Sequence, residues 1–73
     1  MTDRQWRDEV AAALRETDWF SDWSAVSPTV PHCFADATNR LTHESKTIHV
    51  SREVFRTPEA RKAEILKHLS SSR

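Results

Sequence analysis

The chain has 73 residues and a formal charge of zero, because eleven Lys and Arg balance eleven Asp and Glu. Leu, Ile, Val and Phe account for only 14 of these residues, which predicts one small domain with a thin core. The lack of glycine excludes the glycine-rich loops that hold nucleotide phosphates, and a single cysteine excludes an internal disulfide. No apolar run suits a membrane span or a signal sequence, so we expect a cytoplasmic protein without membrane contacts.

The first predicted element is an amphipathic helix at about residues 3–16. Thr2 is suited to cap its amino end, and Gln5 is placed to complete a capping box. The apolar stripe of this helix follows helical spacing and consists of Trp6, Val10, Ala13, Leu14 and Thr17.

The next segment, residues 18–31, breaks this spacing. Pro28 and Pro31 disfavour a helical conformation in the residues before them. Three aromatic side chains lie close together here, among acidic residues and serines. We therefore predict a linker with an aromatic cluster, with one helical turn at residues 21–25 as an option.

Two strands are predicted next, around residues 31–36 and 46–51, because their spacing changes to two. The segment between them is long for a hairpin loop, so a short helix at residues 36–42 stays open as an alternative. Asn39 is the residue of this segment best suited to a positive φ.

The last element is a second helix that begins after Thr57. A hydroxyl cap, Pro58 at the first helical position and the early carboxylate of Glu59 all suit a helix start. Its predicted apolar stripe consists of Ala60, Ala63, Ile65, Leu66 and Leu69.

These elements predict an α+β fold: an N-terminal helix, a β-hairpin and a C-terminal helix packed on one face of the hairpin. We expect a single compact domain over residues 1–69. Residues 70–73 have nothing to bury and are predicted to form a mobile tail.

Metal and thiol chemistry have weak support in the sequence. Cys33, His43 and His49, with either His32 or His68, supply ligand types at irregular spacings and without the short pairs of zinc sites. Cys33 and His32 are adjacent on a predicted strand, so their side chains point to opposite faces. We predict no metal, no cofactor and no catalytic residue, and therefore a protein that is not an enzyme.

The aromatic segment is the best candidate for partner binding. Trp is the residue most enriched at interface hot spots, and Trp19, Phe20 and Trp23 lie within six positions. Asp18 and Asp22 flank these rings and favour a basic partner surface. The competing interpretation is that the rings form the core of a domain that is poor in aliphatic residues. The two interpretations are compatible if some rings are packed inside and one is displayed.

The charge of the chain is uneven, which leaves nucleic acid as a secondary partner. Residues 1–27 carry six acidic and three basic side chains, whereas residues 28–73 carry five acidic and eight basic ones. The candidate phosphate contacts are Arg56, Arg61, Lys62 and Lys67.

Over its whole length the chain resembles the small phage-encoded regulators of host bacterial RNA polymerase, the transcription inhibitors and antiterminators of lytic Xanthomonas phages. The likeness rests on residues 1–23, MTDRQWRDEVAAALRETDWFSDW, and on residues 57–73, TPEARKAEILKHLSSSR. It is a whole-chain likeness without a short diagnostic motif.

The resemblance implies a non-enzymatic regulator that binds the amino-terminal region of the polymerase β′ subunit, near the RNA exit channel. Such a regulator would inhibit σ-dependent initiation and suppress termination in the cytoplasm of the host bacterium. The β subunit and the elongation factor NusA are implied as further partners. We expect the protein itself to be a monomer.

Overall fold

The computed structural model describes residues 1–70, so the predicted mobile tail lies, except for Ser70, outside the described residues. Three antiparallel strands form one sheet in the order β1-β2-β3. One helix packs against β1, the other against β3, and the two helices contact each other. The predicted α+β class is confirmed. In chain order the elements are α1 Asp3–Leu14, β1 Trp19–Val26, β2 His32–Asn39, β3 Ser45–Ser51 and α2 Pro58–Ser70.

Helix α1 begins as predicted. The Gln5 amide donates to the Thr2 hydroxyl at 3.1 Å, and the Thr2 amide donates to the Gln5 side chain at 2.8 Å. The helix ends at Leu14, two residues before the predicted boundary. There the hydroxyl and the amide of Thr17 both donate to the Leu14 carbonyl, at 2.8 and 3.0 Å, and so turn the chain towards β1.

The prediction of a linker at residues 18–31 is wrong, because most of it is strand β1. Its pairing with β2 shifts between Ser21 and Trp23, so Asp22 is an extra residue in a β-bulge. The bulge places Phe20 and Trp23 on one face at a spacing of three, which hides the alternation of a strand. The helical turn considered at residues 21–25 is absent for the same reason.

The two predicted strands are confirmed as β2 and β3, but the short helix at residues 36–42 is not. Residues 36–39 continue β2, and the chain then turns. Asn39 does not take the positive φ, which belongs to His43 with φ 62°. The Asn39 side chain instead accepts from the amides of Leu41 and Thr42, at 2.8 and 3.0 Å. Asn39 thus closes the turn through its carboxamide.

Helix α2 begins at the predicted proline, and the Ala60 amide donates to the Thr57 hydroxyl at 3.1 Å. Its buried face differs from the prediction, because Arg61 is buried while Ala63 is exposed. Leu66 is only half-buried. The buried residues of this helix are Arg61, Ile65 and Leu69.

The core lies between the sheet and the two helices. Trp6 is its largest fully buried side chain, and its indole N–H donates to the Phe34 carbonyl at 2.8 Å. A buried indole needs such a partner, because an unpaired N–H in an apolar core is costly. The other fully buried large side chains are Val10, Cys33, Ile48, Val50 and Ile65.

Candidate functional site

Strand β1 is an outer strand of the sheet. At both ends of its free edge, a backbone amide donates to a side chain. The Trp19 amide donates to the Thr17 hydroxyl at 3.1 Å, and the Val26 amide donates to the Asp3 carboxylate at 2.8 Å. The bulge at Asp22 interrupts the middle. Bulges and covered amides are devices that prevent edge-to-edge pairing. A partner of β1 is therefore expected to contact its side chains more than its backbone.

The three predicted anchor residues on β1 divide between core and surface. Trp19 is 9% exposed and belongs to the core, with the Lys46 ammonium 5.9 Å from its ring centroid. Phe20 is 38% exposed and Trp23 is 49% exposed. The core interpretation thus holds for Trp19, and only Phe20 and Trp23 are available as anchors.

The flanking acidic residues, Asp18 and Asp22, are both exposed. Asp18 precedes β1, and its carbonyl accepts from the Arg40 amide at 2.8 Å. This bond places the turn between β2 and β3 beside the start of β1.

Phe20 and Trp23 belong to the sheet face that the helices leave uncovered. Trp23 pairs with Asp36, which is exposed, whereas the next pair on the helix side includes the buried Ala35. Cross-strand partners share a face, so the uncovered face also carries Phe34 and its β3 partner His49.

An aromatic stack crosses the middle of this uncovered face. The rings of Phe34 and His49 stack at 4.9 Å between centroids and 12° between planes. His32 Nδ1 contacts His49 Nε2, so His32 adjoins the same stack. Sequence reasoning did not single out this stack, whose only signal is the alternation of His32 and Phe34 with buried residues of β2.

A groove of about 380 Å³ lies between α1 and β1. Its lining includes the buried side chains of Leu14 and Trp19 and the exposed rings of Phe20 and Trp23. Three arginines line it, and Asp22 is the acidic residue among its lining side chains. Sequence reasoning missed this groove, because its residues come together only when β1 packs on α1. The arginines are Arg7, Arg15 and Arg40.

Arg61, a predicted nucleic-acid contact, is buried and faces Glu9. Arg61 Nε lies 2.5 Å from Glu9 Oε1 and Nη2 lies 2.8 Å from Oε2, while Nη1 donates to the Phe55 carbonyl at 3.2 Å. The hydrogen bond with Glu9 raises the pKa of Arg61 above its ordinary value. Arg61 therefore stabilises the contact between α1 and α2 and is not presented to a ligand.

The other three predicted nucleic-acid contacts are exposed. Lys62 and Lys67 lie on α2, and Arg56 lies in the loop before it. Arg56 Nε donates to the Glu53 carbonyl at 3.0 Å, which holds that side chain against its own loop. Of the four predicted nucleic-acid contacts, Arg61 is therefore not accessible to a ligand.

Cys33 is fully buried, and burial raises the pKa of its thiol. Its Sγ lies 3.6 Å from Met1 Sδ, on the face of β2 opposite to His32. Within residues 1–70 no three His, Cys, Asp or Glu side chains converge as a metal site. Neither helix of the described chain combines the length and the apolar character that crossing a membrane requires.

Comparisons of the chain with protein-family models, with curated proteins and with solved structures found no match. The geometry of residues 1–70 is therefore the structural basis for a proposal about function.

Proposed function

We propose that this protein is a non-enzymatic regulator of transcription that binds bacterial RNA polymerase. The proposed binding site is the amino-terminal region of the β′ subunit, near the RNA exit channel. Bound there, the protein inhibits σ-dependent initiation and suppresses termination, with the β subunit and NusA as further contacts. It acts as a monomer of phage origin in the cytoplasm of the host bacterium.

The observation that carries the binding role is the exposure of Trp23. Trp6 and Trp19 are buried, but Trp23 is 49% exposed on an outer strand, beside Phe20. A domain with so few aliphatic residues gains stability from every buried ring, so an indole left at the surface favours a role in recognition. The identity of the partner comes from the sequence resemblance alone.

The uncovered sheet face is suited to a protein partner. Aromatic residues dominate the centre of protein interfaces, and Phe20, Trp23 and Phe34 share this face. A domain of this size has enough surface for one standard interface of about 800 Å² per partner.

We predict that Trp23→Ala weakens binding to purified core polymerase without unfolding the domain. Removal of a hot-spot ring costs about 2 kcal/mol, or roughly thirtyfold in the dissociation constant. Binding to core polymerase and to an isolated β′ amino-terminal fragment is measured by biolayer interferometry. Competition with σ is measured on the same immobilised proteins.

The matched control is Val54→Ala, which removes an exposed apolar side chain, 71% exposed, from the loop that precedes α2. This variant should bind as the wild type does. The proposal fails if the wild-type protein does not bind polymerase, or if Trp23→Ala and Val54→Ala bind equally well.

The alternative is a small nucleic-acid-binding protein that acts through its basic C-terminal half. The exposed side chains of Arg56, Lys62 and Lys67 support it, although Arg61 is paired with Glu9. This alternative predicts tight, steeply salt-dependent binding to isolated DNA or RNA. Such binding would have to fall when Lys62 and Lys67 are changed to Gln together.

A further inference from the structure

The groove between α1 and β1 presents positive charge in a segment whose sequence is mostly acidic. Arg7 lies on α1 and Arg15 directly follows its last residue, so the two are eight positions and about 12 Å apart along the helix axis. Arg40 joins them from the turn after β2, which the bond from its amide to the Asp18 carbonyl holds beside β1. The groove thus has positive groups along α1 and on the turn after β2.

These arginines differ from Arg61 in having no ion pair within the described chain. Among residues 1–70, Arg61 forms an ion pair with Glu9, and the His68 imidazole lies 3.3 Å from the Glu64 carboxylate. Arg7, Arg15 and Arg40 are all exposed. Their guanidinium groups are therefore available to carboxylates from another molecule, which a guanidinium binds through two parallel hydrogen bonds.

We propose that this groove binds an acidic, partly apolar segment of a partner protein. Apolar side chains of that segment pack on the exposed rings of Phe20 and Trp23, which also line the groove, and its carboxylates pair with the three arginines. The inference rests on the proposed function in one respect: the segment is taken to belong to the partner that docks on Phe20 and Trp23. The negative charge of the proposed segment is opposite to the positive charge expected of a partner surface that binds Asp18 and Asp22.

The composition of the groove supports this occupant. Trp and Arg are the residues most enriched at interface hot spots, and both types line the groove. Its volume of about 380 Å³ is large enough for a few side chains of a bound segment.

A protein segment fits this groove better than a nucleic-acid strand does. A strand carries a phosphate at every nucleotide, whereas residues 1–27 hold six acidic and only three basic side chains. Asp22 lies in the groove itself, and Glu16 and Asp18 are exposed next to its lining residues. A peptide carries carboxylates at only some of its positions, so it need not place a negative charge beside each of these acidic residues.

The test uses the isotope-labelled full chain and short synthetic peptides that alternate leucine with glutamate. The same peptides with lysine in place of glutamate, and a single-stranded RNA, serve as the other probes. In NMR titrations we expect the glutamate peptide to shift the side-chain N–H signals of Arg7, Arg15 and Trp23. We expect the lysine peptide to bind at least about tenfold more weakly.

The groove variant carries Arg7→Gln, Arg15→Gln and Arg40→Gln together, and we expect it not to bind the glutamate peptide. The control variant carries Arg4→Gln, Arg56→Gln and Lys62→Gln, which remove the same charge from exposed positions outside the groove lining. We expect the control variant to bind the glutamate peptide with the affinity of the wild type.

Three results would overturn the inference: no binding of the glutamate peptide, equal binding of the lysine peptide, or tighter binding of RNA through the same arginines. The peptide titration does not depend on polymerase. A wild-type chain that binds the glutamate peptide in the groove but not polymerase would refute the proposed function and leave the groove assignment intact. If the groove variant binds polymerase as the wild type does, the groove does not contribute to polymerase binding, and the part of the inference that assigns the segment to that partner is refuted.

Discussion

Replacing Glu9 by Leu is expected to destabilise the domain by about 3 kcal/mol, because it leaves the Arg61 guanidinium buried without its counter-charge. The side chains of Arg61 and Glu9 are only 10% and 20% exposed, and two of their hydrogen bonds join the helices. The whole stability of a 73-residue domain is about 4–11 kcal/mol, so the loss is a large part of it. Urea unfolding followed by circular dichroism measures the change.

The double variant Glu9→Leu with Arg61→Met is expected to recover at least half of that loss, because two apolar side chains replace a buried ion pair at little cost. Asp8→Asn is the control, since Asp8 is exposed on the same helix and takes part in no ion pair of residues 1–70. A loss below about 1 kcal/mol in Glu9→Leu would show that the pair contributes no more than a surface salt bridge does.

Trp6→Ala is expected to remove a large part of the free energy of unfolding and to lower the thermal unfolding midpoint sharply. The change removes the largest fully buried side chain and leaves the Phe34 carbonyl without its donor. Deletions of this kind cost about 3–5 kcal/mol, which approaches the stability expected of the whole domain. Far-ultraviolet circular dichroism and thermal unfolding report the outcome.

The milder change Trp6→Phe keeps the fold and measures the same contact. It should cost about 2 kcal/mol, since a ring remains but the hydrogen bond to the Phe34 carbonyl is lost. Trp23→Phe is the matched control at a half-exposed position and should change stability by less than about 0.5 kcal/mol. Equal losses in the two variants would contradict the division of the indoles between core and surface.

The parts of the fold that were predictable depend on local signals. The capping box at Thr2 and the proline start at Pro58 define helix ends from neighbouring residues alone. β1 was not predictable in this way, because the bulge at Asp22 breaks the period of two and only pairing with β2 reveals the strand. The burial of Arg61 likewise depends on Glu9, which is 52 residues away in the chain.

The position of the candidate site in the chain was predictable, but the exposure of its individual side chains was not. Three rings in a short stretch indicated partner binding or core packing, and the register of β1 decides that Trp19 is core while Trp23 is half-exposed. The charge of the groove depends on Arg40, which a different part of the chain contributes. Counting charges along residues 18–23 therefore does not show the positive charge of the groove.

The most direct test of the polymerase-docking account is hydrogen–deuterium exchange of the protein, free and bound to purified core polymerase. The account predicts that binding slows exchange in β1, Trp19–Val26, and in the part of α1 that borders the groove. Slower exchange confined to α2 and the loop before it, with β1 unchanged, would contradict the account.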